Sequence, residues 1–150
     1  MKKFFTVVFL CFVFFVASFN NAFFQKLTSF EGCKEVSFYC SKKNQIAFAD
    51  ETRNGEGYIY SLDCEDVSRI YPKLQGCFGF SAKFEACAFD DIVKGVQIVK
   101  VENLEGVESF YGYVNGLSMF GFLDNKKINI QIALTAGGVV VGSPLILGAY

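Results

Sequence analysis

Two hydrophobic patterns divide this chain. Residues 4–19 are an almost unbroken apolar run, interrupted only by Thr6 and Ser18. From residue 33 onward, apolar and polar positions alternate instead. That period of two marks strands with one buried face. Lys34, Val36, Phe38 and Cys40 alternate with Glu35, Ser37 and Tyr39, which predicts a strand. Lys42-Lys43-Asn44 makes a turn. Residues 45–49 alternate again, with Ile46 and Phe48 on one face, and predict a second strand. Residues 50–57 are polar and predict a loop, with Asn54-Gly55 as its turn signal. Residues 58–62 return as a strand.

A different period follows. Val67, Ile70, Tyr71 and Leu74 recur at i, i+3, i+4 and i+7, one apolar face of a helix. Asp63 stands where a side chain can cap the first turn, and Asp66 at the capping-box position. Pro72 lacks an N–H and clashes with the preceding turn, so the helix bends or ends near Tyr71. Phe78, Phe80, Ala82 and Phe84 then alternate with Cys77, Gly79, Ser81 and Lys83 as another strand. Residues 90–94, stopped by Gly95, predict a helix of little more than one turn. Residues 96–101 predict a strand.

The last third reads as a four-stranded antiparallel meander. Residues 107–114 and 117–123 flank Asn115-Gly116, a strong hairpin signal. Asp124-Asn125 turns the chain. Ile128, Ile130, Ile132 and Leu134 alternate with Asn129, Gln131 and Ala133. Gly137-Gly138 then leads into residues 139–147. Residues 128–150 carry no charge and are long enough to cross a bilayer. Asn129 and Gln131 between isoleucines, Pro144 and the glycines favour a sheet hairpin over a membrane helix.

The N-terminal pattern is that of a targeting segment. Lys2 and Lys3 precede the apolar run. Val16-Ala17-Ser18 and Asn20-Asn21-Ala22 offer small residues for cleavage, as in a secretory signal peptide. The rival is an uncleaved anchor, but residues 4–19 span only about 24 Å of helix against a ~30 Å hydrocarbon core. Residues 1–24 are therefore expected to be a signal peptide or signal anchor. Residues 25–150 are expected to be a single exported α+β domain, secreted or membrane-anchored, touching membrane only through residues 4–19 if they are retained.

Composition narrows the chemistry. The 150 residues are 52% hydrophobic and include 19 Phe and 7 Tyr, but no His and no Trp. Without an imidazole there is no Ser/His/Asp triad, Cys/His pair or His-ligated metal. Loss of Lys2 and Lys3 leaves 12 basic against 15 acidic residues. A mildly acidic exported domain has no electrostatic attraction for nucleic acid, so no nucleic-acid partner is expected.

Five cysteines lie beyond the targeting segment: Cys33, Cys40, Cys64, Cys77 and Cys87. The odd number leaves at least one unpaired within the chain. No C-x-x-C occurs, which excludes zinc-ribbon and thioredoxin-like readings. Cys33 and Cys40 bracket one strand, about 23 Å apart at ~3.3 Å per residue, too far to bridge. The expectation is mostly buried, reduced thiols. Were one bridge to form, Cys64 to Cys87 is the best-placed pair.

No residue emerges as catalytic, cofactor-binding or metal-binding. Asp63, Glu65 and Asp66, and Asp90 and Asp91, sit at helix starts, where carboxylates stabilise the macrodipole. Asp50, Glu51 and Glu56 lack calcium-loop spacing. Ser143 lies in Gly142-Ser143-Pro144 without the G-x-S-x-G frame or a base. Gly112, Gly116, Gly121 and Gly137-Gly138 lie among strands, not at a phosphate-binding strand-to-helix turn. Phe110, Tyr111, Tyr113, Phe120 and Phe122 are either core and cross-strand pairs or the lining of an apolar groove. Any that stay uncovered would mark a partner site.

The C-terminus resembles a known family. Asn129-Ile130-Gln131-Ile132-Ala133, then Val141-Gly142-Ser143-Pro144-Leu145-Ile146 and a terminal Tyr150, is similar to the end of the YwmB-like proteins, exported proteins of spore-forming Firmicutes. The likeness is close over this strand pair and loose from Asp63 onward. It implies an α+β fold, a non-enzymatic envelope role and a link to sporulation. The combined expectation is an α+β domain with a mainly antiparallel sheet of seven to eight strands, and one long and one short helix on one face. Its expected role is non-catalytic, through contacts with a protein partner in the cell envelope, with no cofactor. The alternative is a small hydrophobic-ligand or lipid-binding module.

Overall fold

The computed structural model describes residues 25–47 and 49–146. Residues 1–24, expected to be a targeting segment, Phe48 and residues 147–150 with the terminal Tyr150 lie outside the described residues. The chain forms β1 (Cys33–Cys40), β2 (Asp50–Asn54), β3 (Gly57–Leu62), α1 (Val67–Ile70), β4 (Cys77–Phe84), α2 (Phe89–Lys94), β5 (Gln97–Leu104), β6 (Val107–Tyr113), β7 (Gly121–Leu123), β8 (Lys126–Ile128), β9 (Ile130–Thr135) and β10 (Gly138–Ser143). Eight strands make one sheet in the order β2-β3-β1-β4-β10-β9-β6-β5, and β7 and β8 make a small second sheet. Every pairing is antiparallel. The mainly antiparallel α+β architecture is thus as expected.

The expected long helix is replaced by three short pieces. A 3-10 turn at Cys64–Asp66, α1, and a second 3-10 turn at Tyr71–Lys73 follow one another. Pro72 stands in the opening of that last turn, where its missing N–H breaks the α ladder. Neither Asp63 nor Asp66 makes a capping hydrogen bond. The apolar face still forms: Val67 and Ile70 are buried, and Tyr71 and Leu74 pack beside them.

Two strands differ from expectation. Residues 45–47 are not a strand, because Tyr60 holds the chain away from a ladder. Its hydroxyl accepts from the Asn44 N–H at 2.7 Å and donates to the Asn44 carbonyl at 3.3 Å. The polar stretch expected as a loop is instead β2. It pairs only with β3, through a two-residue turn at Gly55-Glu56. All of β2 is exposed, so as an edge strand it has no buried face to produce alternation.

The meander also changes. Residues 117–120 are irregular and only Gly121–Leu123 is a strand. The order β5-β6-β9-β10 keeps the antiparallel succession, with the β7–β8 hairpin inserted between β6 and β9. Asp124 and Asn125, both at positive φ, form its two-residue turn. β10 ends at Ser143. The tail then folds back, and the Ile146 N–H donates to Gln131 Oε1 at 3.0 Å. Gly142 makes room for this, since a Cβ there would lie 2.6 Å from the Ile146 nitrogen. Among the described residues, no helix is long and apolar enough to cross a membrane.

One sheet face carries the core. Val36, Phe38, Phe80, Ala82, Phe84, Ile132, Val139 and Val141 are buried against Leu27, Val67, Ile70, Ala88 and Ile92. A one-residue bulge in β4 alters its end. Tyr39 pairs with Gly79, but Cys40 pairs with Cys77, so Phe78 is skipped. Phe78 becomes 48% exposed and Cys77 takes its place on the core side.

The cysteine expectation is corrected. Cys33 and Cys64 form a disulfide, with Cα atoms 6.2 Å apart. Cys87 is exposed and free, so the Cys64–Cys87 pair does not form. The cause is topology: β3 pairs with β1 and runs back along it, with Leu62 opposite Val36, delivering Cys64 beside Cys33. The alternation within each strand carries no information on which strands become neighbours. Cys40 and Cys77 are free, the first buried and the second half-buried.

Candidate functional site

The five aromatics do not form one groove. Phe110 and Tyr111 are successive residues of β6 and point to opposite faces. Phe110 packs on Phe89 with ring centroids 5.2 Å apart, at the border of the core. Tyr111 lies on the other face, and its hydroxyl bonds Glu102. Phe120 and Phe122 are 50% and 70% exposed. They are the uncovered aromatics that a partner site requires.

These two rings are held in place. They meet edge to face with centroids 5.8 Å apart. The Lys127 ammonium lies 4.2 Å from the Phe120 centroid and 5.6 Å from that of Tyr113. Such a contact orients the ring and keeps the cation beside it. At the hairpin tip, Lys100 of β5 reaches the Asp124 carboxylate at 2.7 Å and the Glu102 carboxylate at 2.7 Å. The Lys100 ammonium holds the Asp124 and Glu102 carboxyls below the usual carboxylate range, and they in turn raise Lys100. Asp124 and Glu102 are solvent-exposed and Lys100 is partly so, so these ion pairs place the turn rather than add much stability. Lys127, opposite Phe122 across the hairpin, thus sets a cation next to the rings, whereas Lys126 pairs with Leu123 on the other face. The hairpin therefore offers aromatic area bordered by positive charge.

An apolar cavity of about 220 Å³ lies beneath α2. Leu27, Phe30, Ile92, Val96, Val114 and Ile130 line it, and Lys26 stands at its edge. Drug-sized ligands occupy about 300–1,000 Å³. The cavity is thus smaller than an ordinary ligand site. A second, more polar hollow of about 210 Å³ lies between Asn44–Ala47 and Arg69, Ile70 and Lys73.

The carboxylates expected as helix-start or loop residues are dispersed. Asp66 pairs with Arg69 at 2.6 Å, Asp91 with Lys94 at 3.1 Å, and Glu51 with Lys43 at 3.5 Å. Among the described residues, no three metal-ligating side chains come together. Ser143 is fully buried in β10, out of reach of any substrate. The feature missed by sequence reasoning is the Cys40–Cys77 juxtaposition. Its signal, a bulge, leaves no trace in the alternation.

No family model, curated protein or solved structure matches the chain.

Proposed function

We propose that this chain is an exported, non-catalytic cell-envelope protein that acts through protein–protein contact, with the β7–β8 hairpin as its contact surface. The observation that carries this is the pair of exposed, mutually ordered rings of Phe120 and Phe122 beside Lys127. Aromatic residues dominate interface hot spots, and ordering them before binding lowers the entropy lost on association. The partner suited to this surface presents apolar area bordered by carboxylates. The Cys33–Cys64 disulfide is compatible with an extracytoplasmic location. The likeness of residues 129–133 and 141–146 to the YwmB-like proteins supports a sporulation setting.

The test is residue-specific crosslinking from the hairpin in living cells, with each adduct identified by mass spectrometry. Wild type should give one dominant envelope protein. F120A/F122A should lose it while its circular dichroism is unchanged. Adducts of equal yield in the folded double variant would refute the hairpin as contact surface. The cavity beneath α2 favours a second reading, a small hydrophobic ligand. Native mass spectrometry of the protein recovered from cells tests it, and co-purified lipid would promote that reading above the first.

A further inference from the structure

We propose that Cys40 and Cys77 are an oxidisable dithiol, entered from solvent through Cys77, that closes to a second, cross-strand disulfide. The inference goes beyond the hairpin and does not rest on it. Cys40 and Cys77 are direct partners across the antiparallel β1–β4 ladder. Opposed Cα atoms in such ladders lie about 4.5–5.5 Å apart. Cysteines bridge at about 4.4–6.8 Å, so no strand has to move far. Opposed residues also project to the same face, which aims both sulfurs at one another.

The bulge creates this pair. In an unbroken register Phe78 would oppose Cys40. The shift after Tyr39 substitutes Cys77 and turns Phe78 outward. The bulge exposes a phenylalanine and sets two thiols opposite one another. The two thiols already interact, and the contact raises the Cys40 thiol pKa and lowers that of Cys77. Cys77 also lies 3.5 Å from the Gly79 carbonyl. Burial separates their roles. Cys77 is half-buried and reachable, and Cys40 is fully buried. The Cys40 thiol beside it favours the Cys77 thiolate, the form that attacks disulfides.

The chemistry is thiol–disulfide exchange with a disulfide-class oxidant, RSSR, of low molecular weight or on a protein. Cys77 gives its proton to solvent, attacks one sulfur of RSSR and expels RS⁻. Cys40 then loses its proton, attacks the Cys77 sulfur of the mixed disulfide and expels the second RS⁻. Two protein thiols lose two electrons and two protons, and RSSR leaves as two RSH. β1 would then be fastened at both ends, by Cys33 to Cys64 and by Cys40 to Cys77. Cys87 would remain as the free, exposed thiol of these five, which accounts for their odd number.

The experiment uses the full chain. It is incubated with oxidised glutathione, alkylated, digested with trypsin and mapped. Cleavage after Lys34, Lys42, Lys73 and Lys83 puts Cys40 and Cys77 on separate peptides. The expected result is a linked Cys40–Cys77 peptide and loss of alkylation at both residues. Reduced glutathione should restore both while Cys33–Cys64 stays closed. In C40S, glutathione should accumulate on Cys77. Should C40S fail to fold, the wild-type map decides alone. Retained alkylation at both residues in folded, oxidant-treated wild type would overturn the proposal. So would a wild-type protein that stops at glutathionylated Cys77 with no linked peptide.

Discussion

The Asn129 side chain accepts a hydrogen bond from the Val114 N–H at 2.8 Å and returns one to the Val114 carbonyl at 2.7 Å. It acts as a strand partner made of side chain. Asn129 is wholly buried between β8 and β9. This clamp fixes the end of β6 and the start of the excursion that carries the β7–β8 hairpin. Asn129→Ala leaves both Val114 groups without a partner, each at about 1–3 kcal/mol. Urea unfolding should show a loss of roughly 2–6 kcal/mol by that reckoning. An unchanged midpoint would mean that water replaces the amide and the clamp contributes nothing.

The disulfide closes a loop with a sequence separation of 31. The loop-entropy relation for a cross-link of that length gives about 3–4 kcal/mol at 25 °C. C33S/C64S should therefore lower stability by about that amount, and reduction of the wild type should lower it equally. Denaturant titration with and without reductant measures both. A double variant as stable as wild type would show that β1, β3 and the 3-10 turn at Cys64–Asp66 hold together by packing alone.

Much of the sheet was legible because apolar residues recur at every second position in β1, β3, β4 and β9, while β6 and β10 were read beside their turn signals, β10 being a continuous apolar run buried throughout. That logic failed where tertiary context removes the signal. β2 is an edge strand exposed throughout, so its DETRN sequence carries no alternation. Phe78 fits the apolar phase of β4, yet the bulge turns it out and brings Cys77 in. The disulfide depends on β3 lying beside β1, a relation between distant segments. For the candidate site, Phe120 and Phe122 fall on one side of an alternating run, which resembles a core face. Whether that side is covered depends on the rest of the fold, and here nothing among the described residues covers it fully.

Ser143 is fully buried in β10, opposite Phe80, and its hydroxyl has no hydrogen-bond partner among the described residues. An unpaired buried hydroxyl costs about 1–3 kcal/mol on mutational scales. Alanine removes the oxygen and leaves a cavity smaller than a methyl group. Ser143→Ala should therefore keep or raise the melting temperature, by several degrees at most for a domain of this size. A clear fall in melting temperature would show that the hydroxyl contributes to packing or binds an internal water.

Burial raises the phenol pKa of both Tyr39 and Tyr60. Tyr60 is 1% exposed and exchanges two hydrogen bonds with the Asn44 backbone. A folded-state value above the unfolded one, near pH 10, favours the neutral phenol in the native state. That stabilisation is complete below the unfolded value. It is lost as pH rises through the higher folded values, because the unfolded chain releases its protons first. Melting temperature should thus be insensitive to these phenols between about pH 7 and 9, then fall above about pH 10. Near-UV circular dichroism against pH reads the transition, and phenolate absorbance should rise together with it. Tyr60→Phe should start from a lower melting temperature, having lost the Asn44 bonds, yet show a shallower alkaline decline. An equally steep decline in that variant would place the alkaline sensitivity elsewhere than at Tyr60.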